Sequence, residues 1–127
     1  MAKKPYCEGD LFCGVNEPRD TKEMSDLEKK HTPVIDCPEI LKKGSCNEVT
    51  VEVGKLMPHP NETGHFIQWV ELYADDTFLG RADLTAILTC PRVKFCVNLG
   101  HAHEELRAFV RCNLHGLWQG TKKVKVE

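Results

Sequence analysis

Apolar and polar positions alternate along most of this chain. Val49, Val51 and Val53 are separated by Thr50 and Glu52, the period of two that marks a half-buried strand. The same period runs through Val93, Phe95, Val97 and Leu99, and again through Leu106, Ala108, Val110 and Cys112. Residues 66–73, Phe-Ile-Gln-Trp-Val-Glu-Leu-Tyr, are aromatic and β-branched on both faces, as in a central strand. Asp75-Asp76 then signals a turn into Thr77-Phe78-Leu79. Residues 84–89 read as a further strand, and residues 123–126 as a final edge strand whose lysines discourage edge-to-edge pairing. No stretch carries a long helical period. One helical turn is expected near Ser25, where Ser25 and Glu28 are spaced for a capping box. Six or seven short strands with close turn signals predict an all-β sandwich, preceded by a polar, weakly patterned N-terminal arm.

Composition narrows the classes. The 127 residues suffice for one domain, with 41% hydrophobic, 7% aromatic and 28% charged side chains, a folded and not a disordered profile. No apolar run approaches the roughly 20 residues that span a bilayer, so no membrane association is expected. The first residues lack the apolar core of a secretory signal, so a cytoplasmic, reducing location is expected. A net charge of −2 argues against a nucleic-acid binder. The outlying counts are seven cysteines and six histidines. Seven is odd, and in a reducing compartment Cys and His point to metal or redox chemistry more than to staples.

The histidines cluster around loops. His59 and His65 bracket Pro58-His59-Pro60-Asn61-Glu62-Thr63-Gly64-His65, between two expected strands, and Pro58 and Pro60 stiffen the backbone around His59. Cys112 and His115 form Cys-x-x-His at the end of a strand, and His31 lies in Lys30-His31-Thr32-Pro33. Four imidazoles and one thiolate exceed the four ligands of a closed structural zinc site. Blue copper needs an axial ligand, usually Met after the last His, and the methionines are Met1, Met24 and Met57. Five ligands with one open position suit redox-active iron, although imidazole also suits copper, zinc and nickel. His101 and His103, in Gly100-His101-Ala102-His103-Glu104, read as surface residues of a polar hairpin, and Trp69 and Trp118 as core or site-lining residues.

These blocks also carry a family likeness. Lys-His-Thr-Pro-Val-Ile at 30–35, Val-Gly-Lys at 53–55, Pro-His-Pro-x4-His-Phe-Ile-x-Trp at 58–69 and Cys-Asn-Leu-His-Gly-Leu-Trp at 112–118 resemble the superoxide reductases, the neelaredoxins and the catalytic domain of desulfoferrodoxin. The resemblance covers residues 26–127 and leaves 1–25 as an arm. It implies an immunoglobulin-like seven-stranded β-sandwich and a mononuclear iron, with His31, His59, His65 and His115 as equatorial ligands and Cys112 as the axial thiolate. It implies one-electron reduction of superoxide to hydrogen peroxide with an external donor, rubredoxin or a similar small protein, and a homo-oligomer, typically a tetramer. The two-iron members carry close cysteine pairs in a four-cysteine N-terminal site. The arm here offers Cys7 and Cys13, which places the chain in the one-iron class. The family sets a catalytic lysine before the first ligand, where Lys30 stands. The family glutamate before it is replaced by Lys29, with Glu28 one residue further back as the candidate substitute.

Six cysteines remain outside the ligand set: Cys7, Cys13, Cys37, Cys46, Cys90 and Cys96. They are expected as mostly free thiols, with room for one oxidised pair. The rival function is a non-enzymatic immunoglobulin-like module that holds a structural or stored metal. Backbone N–H groups of Leu114 and His115 are expected to point at the Cys112 sulfur and tune it.

Overall fold

The alternating valines and leucines become strands with one face inward. The computed structural model describes residues 3–127; Met1 and Ala2, at the head of the expected arm, lie outside the described residues. The strands are β1 Val15–Asn16, β2 Val34–Asp36, β3 Ile40–Leu41, β4 Asn47–Glu52, β5 Ile67–Ala74, β6 Thr77–Asp83, β7 Arg92–Val97, β8 Glu105–Cys112, β9 Gly116–Lys123 and β10 Lys125–Val126. Three of them (β1, β3 and β10) are two-residue pairings, which leaves seven longer strands among the described residues, the number that the family resemblance implies. Helical structure among the described residues is a 3-10 turn at Pro5–Cys7 and one short helix, α1, at Asp26–His31.

One sheet runs β1-β9-β8-β5-β6 and a second β2-β4-β7, with β3 and β10 as a two-stranded ribbon. The longer strands pair antiparallel, while β1 joins β9 and β10 joins β3 in parallel. Val49 and Val51 from the smaller sheet meet Val70, Leu72, Leu106, Ala108 and Val110 from the larger one, all fully buried in one core. Each such Val or Leu contributes about 1.5–3 kcal/mol by leaving water. The phase of β8 fixes the direction of its last side chain. Leu106, Ala108 and Val110 face inward, so Cys112, two residues on, faces inward too.

Two expected elements differ. Residues 84–89 form a turn and not a strand. Thr89 N donates to the Thr85 carbonyl, Thr85 N donates to Thr89 Oγ1, and Ile87 adopts a φ of +71° with Leu88 81% exposed. The two threonines, together with Asn61, whose Oδ1 accepts from Ile87 N and whose Nδ2 donates to the Thr89 carbonyl, satisfy the local backbone, so residues 85–89 join no strand. The final strand is also shorter than expected: Lys123 closes β9, buried Val124 intervenes, and Lys125–Val126 pairs with Ile40–Leu41.

The arm is docked. Cys7 and Cys13 form a disulfide, the oxidised pair left open by the sequence, and the other five cysteines are free thiols. Asn16, 6% exposed, donates its Nδ2 at 2.8 Å to both the Leu11 and the Leu117 carbonyls, which ties the arm to β9. No helix among the described residues is long and apolar enough to cross a membrane.

Candidate metal centre

The expected ligands sit at the ends of elements or in the loops between them. His31 is the last residue of α1, which starts at the Ser25 cap. Ser25 Oγ accepts from Glu28 N, and Ser25 N donates to Glu28 Oε1, the full capping box. His59 and His65 lie in the loop between β4 and β5. Cys112 ends β8, and His115 sits in the tight turn before Gly116 opens β9. Asn113 fastens that turn to the His65 loop: its Oδ1 accepts from Phe66 N, its Nδ2 donates to the Gly64 carbonyl, and its own N–H donates to the Phe66 carbonyl.

Strand β9 acts as the floor. Gly116, Trp118 and Gly120 share its inner face. The Leu11 carbonyl lies over Gly116, where an added Cβ would stand 2.1 Å from the oxygen, and the Pro33 carbonyl lies over Gly120 at an equivalent 2.0 Å. Between them Trp118 stacks on His31, ring centroids 5.1 Å apart, and its Nε1 donates to the His115 carbonyl. Two missing side chains thus let the backbones on either side of His31 descend onto the sheet.

The ligand atoms of His31, His59, His65 and Cys112 lie within 4.8 Å of one another. His115 stands outside that quartet but adjoins it. Its Nδ1 is 3.6 Å from Cys112 Sγ, and its ring centroid is 4.7 Å from that of His31 and 5.0 Å from that of His65. Acceptors fix the ring orientations: His31 Nδ1 donates to the Leu27 carbonyl at 2.8 Å, and His59 Nδ1 to the Pro60 carbonyl at 2.6 Å. The Nε2 atoms of His31, His59 and His65 are all buried without a hydrogen-bond partner. Three orphaned imidazole nitrogens beside one thiol form a set that a metal ion would satisfy, because an unpaired buried nitrogen is otherwise costly.

The electrostatics agree. Burial holds His31 and His59 down to about 4, against the pull of their backbone acceptors, and the neighbouring imidazoles press the same way. Burial, His65 and Lys30 lower His115 as well. These rings are therefore neutral near pH 7, the form that offers a lone pair. Burial raises the Cys112 thiol, opposed by N–H groups of Leu114 and His115 that donate to its sulfur. These are the two N–H groups that the sequence reading expects to point at the sulfur.

The remaining expected residues separate. Lys30 is close enough to depress both His59 and His115. Glu28 is engaged elsewhere: Oε1 serves the capping box and Oε2 accepts from Arg19 N at 3.1 Å. Trp118 lines the centre, whereas Trp69 lies on the outer face of its sheet beneath the Arg81 guanidinium, 4.5 Å from the ring. Sequence reasoning missed Asn113, Gly116 and Gly120. Asn113 and Gly116 stand in the Cys-Asn-Leu-His-Gly block and Gly120 four residues beyond it, but the backbones they meet come from distant segments.

Comparison with known proteins places this architecture. The desulfoferrodoxin family pattern matches residues 23–121. A Methanocaldococcus jannaschii protein assigned to the superoxide reductases is 44% identical over 119 residues, covering 91% of this chain and 97% of its own. The superoxide reductase of Pyrococcus abyssi is 40% identical over 111 residues, 80% of this chain and 93% of its own. The solved superoxide reductase (neelaredoxin) of Ignicoccus hospitalis superposes with a TM-score of 0.76 at 36% identity, over 94% of this chain and 98% of the other. With its sandwich, its His/Cys centre and these relatives, the chain belongs to the desulfoferrodoxin family of superoxide reductases.

Proposed function

We propose that this protein reduces superoxide to hydrogen peroxide at one mononuclear iron held by His31, His59, His65, His115 and Cys112, with residues 26–127 as the catalytic unit and 1–25 as its arm. The observation that carries the reading is the convergence of three unpartnered, buried Nε2 atoms on the Cys112 sulfur. Iron bound there would supply the single electron that, with two protons, converts superoxide to hydrogen peroxide.

The chain's own residues prepare that chemistry. Leu27 and Pro60 carbonyls hold the His31 and His59 rings so that Nε2, and not Nδ1, faces inward. The Leu114 and His115 N–H groups draw charge from the Cys112 sulfur and so set how strongly it donates. Lys30, beside His59 and His115, offers a cation to the incoming anion. Glu28 reaches the centre only by leaving both Ser25 and Arg19, so any role for its carboxylate there requires α1 to uncap.

One metal stores one electron, so turnover needs an external donor. A small redox protein of the rubredoxin kind fits that need, and a cytoplasmic homotetramer is the assembly the family resemblance favours. The test is kinetic and spectroscopic. Iron-loaded oxidised protein should show a thiolate-to-metal band in the visible that Cys112→Ser abolishes, and superoxide loss should stop when reductant is withdrawn. A colourless zinc protein, or sustained superoxide loss without reductant, would overturn the reading.

A further inference from the structure

A second group of imidazole and carboxylate side chains lies at the other end of the sandwich. His101 and His103 flank Ala102 in the loop between β7 and β8. Their rings stack with centroids 4.8 Å apart and planes inclined by 24°. The sequence places both on the surface; only His101 is there. The His103 side chain is 9% exposed, with its Nδ1 3.1 Å from Asp75 Oδ2.

Asp75 is well anchored for this task. It occupies the turn between β5 and β6 with a φ of +50°, and its N–H donates to the Glu105 carbonyl. Its carboxylate accepts from Glu104 N and Glu105 N at 3.1–3.3 Å. Burial pushes this carboxyl up, but those two N–H groups and His103 outweigh it, so it stays ionised. Since Asp75 Oδ2 is an acceptor, the neutral tautomer of His103 that this contact selects has its proton on Nδ1 and offers Nε2 as a donor atom to a metal. His101 Nδ1 likewise donates to the Ala102 carbonyl, at 3.2 Å. A carboxylate behind a histidine is the arrangement that orients metal-ligating imidazoles and raises their basicity.

We propose that His101 and His103 form a second metal site, taking a divalent transition-metal ion of the copper, nickel or zinc type, with Asp75 as the positioning residue. Imidazole donors select these ions over calcium and magnesium, which require oxygen ligands. Two protein ligands leave the other positions to water, so the ion is exchangeable and copper binds most tightly in the series. The site is independent of the His/Cys centre. β8 separates them, and its seven residue steps from Glu105 to Cys112 at ~3.3 Å each give roughly 23 Å.

The test uses the full-length protein with its His/Cys centre already loaded and the exposed thiols of Cys46, Cys90 and Cys96 alkylated. Titration with Cu2+ should show one further equivalent whose electron paramagnetic resonance signal carries two imidazole nitrogens. His101→Ala, an exposed change that leaves the fold intact, should weaken this equivalent at least tenfold and leave one nitrogen in the signal. His103→Ala should do the same. Asp75→Asn should weaken it about tenfold while both nitrogens remain. Absence of a second equivalent, or an unchanged affinity and signal in His101→Ala, would refute the site.

Discussion

Cys112 illustrates how much a single position decides. It is fully buried, it continues the inward phase of β8, and its sulfur receives two backbone N–H groups. Cys112→Ser keeps the volume and the loop, yet it replaces a soft sulfur donor with a hydroxyl. Metal content should fall, the visible band should vanish and superoxide reduction should be lost, while the melting temperature of the metal-free protein changes little. Retention of the band would remove Cys112 from the ligand set. Lys30 stands near the centre without being a candidate ligand, so its part would be played through space. Its charge already depresses His59 and His115. Lys30→Ala should slow the bimolecular reaction with superoxide by about tenfold at low salt and flatten its dependence on ionic strength. Stopped-flow rates across a salt series would check this, and an unchanged salt slope would rule the lysine out of anion capture.

At the scale of elements, the centre depends on how α1 and β9 are held. α1 has six residues and would not persist alone, so its cap has disproportionate weight. Ser25→Ala should cost about 1 kcal/mol of stability and, because His31 closes the same helix, weaken metal retention; denaturant unfolding of the metal-free protein reads the first and a chelator competition series the second. Glu28 adds a pH dependence. The Ser25 backbone N–H, the leading influence, lowers its carboxyl below the ordinary value of 4.5, against a smaller opposing effect of burial. Its folded pKa therefore lies under its unfolded one. The contribution to stability is complete above about 4.5 and is lost as pH falls through the lower, folded value. Glu28→Gln keeps an acceptor for the cap but cannot titrate, so its acid unfolding should be less steep with pH than that of the parent chain. On β9, Gly116→Ala meets both a φ of +80° and the Leu11 carbonyl, and should destabilise by more than the ~1 kcal/mol of the conformational effect alone. Restored stability when the arm residues 3–14 are also removed would show that the clash, and not the dihedral, dominates.

Across the whole molecule, the sequence was most legible where one physical rule acts alone. Period-two alternation gave β4, β7 and β8 with the correct inward faces, and the spacing of Ser25 and Glu28 gave the cap. It failed where local and tertiary effects compete. Residues 84–89 are apolar enough for a strand, yet Thr85 and Thr89 close them into a turn. His103 is polar in sequence, but its side chain turns in to a hydrogen bond with Asp75, 28 residues away. The candidate ligands were readable as residue types, whereas the floor under them was not, since Leu11 and Pro33 reach β9 from segments some 105 and 87 residues earlier in the chain. That floor brings the histidines together before any metal arrives, with a thermodynamic consequence. Without metal, the folded chain buries three unsatisfied nitrogens; unfolded, it exposes them to water. A metal that binds only the folded form should add about 2.7 kcal/mol at a free concentration one hundred times its dissociation constant. The melting temperature should therefore climb with the logarithm of free metal and fall back on chelation. In Cys112→Ser, with its weaker site, the same curve should be displaced to higher metal concentration. Coincident melting curves for loaded and stripped protein would mean that the histidines are already satisfied in the folded chain, and that the centre is not the metal site their geometry describes.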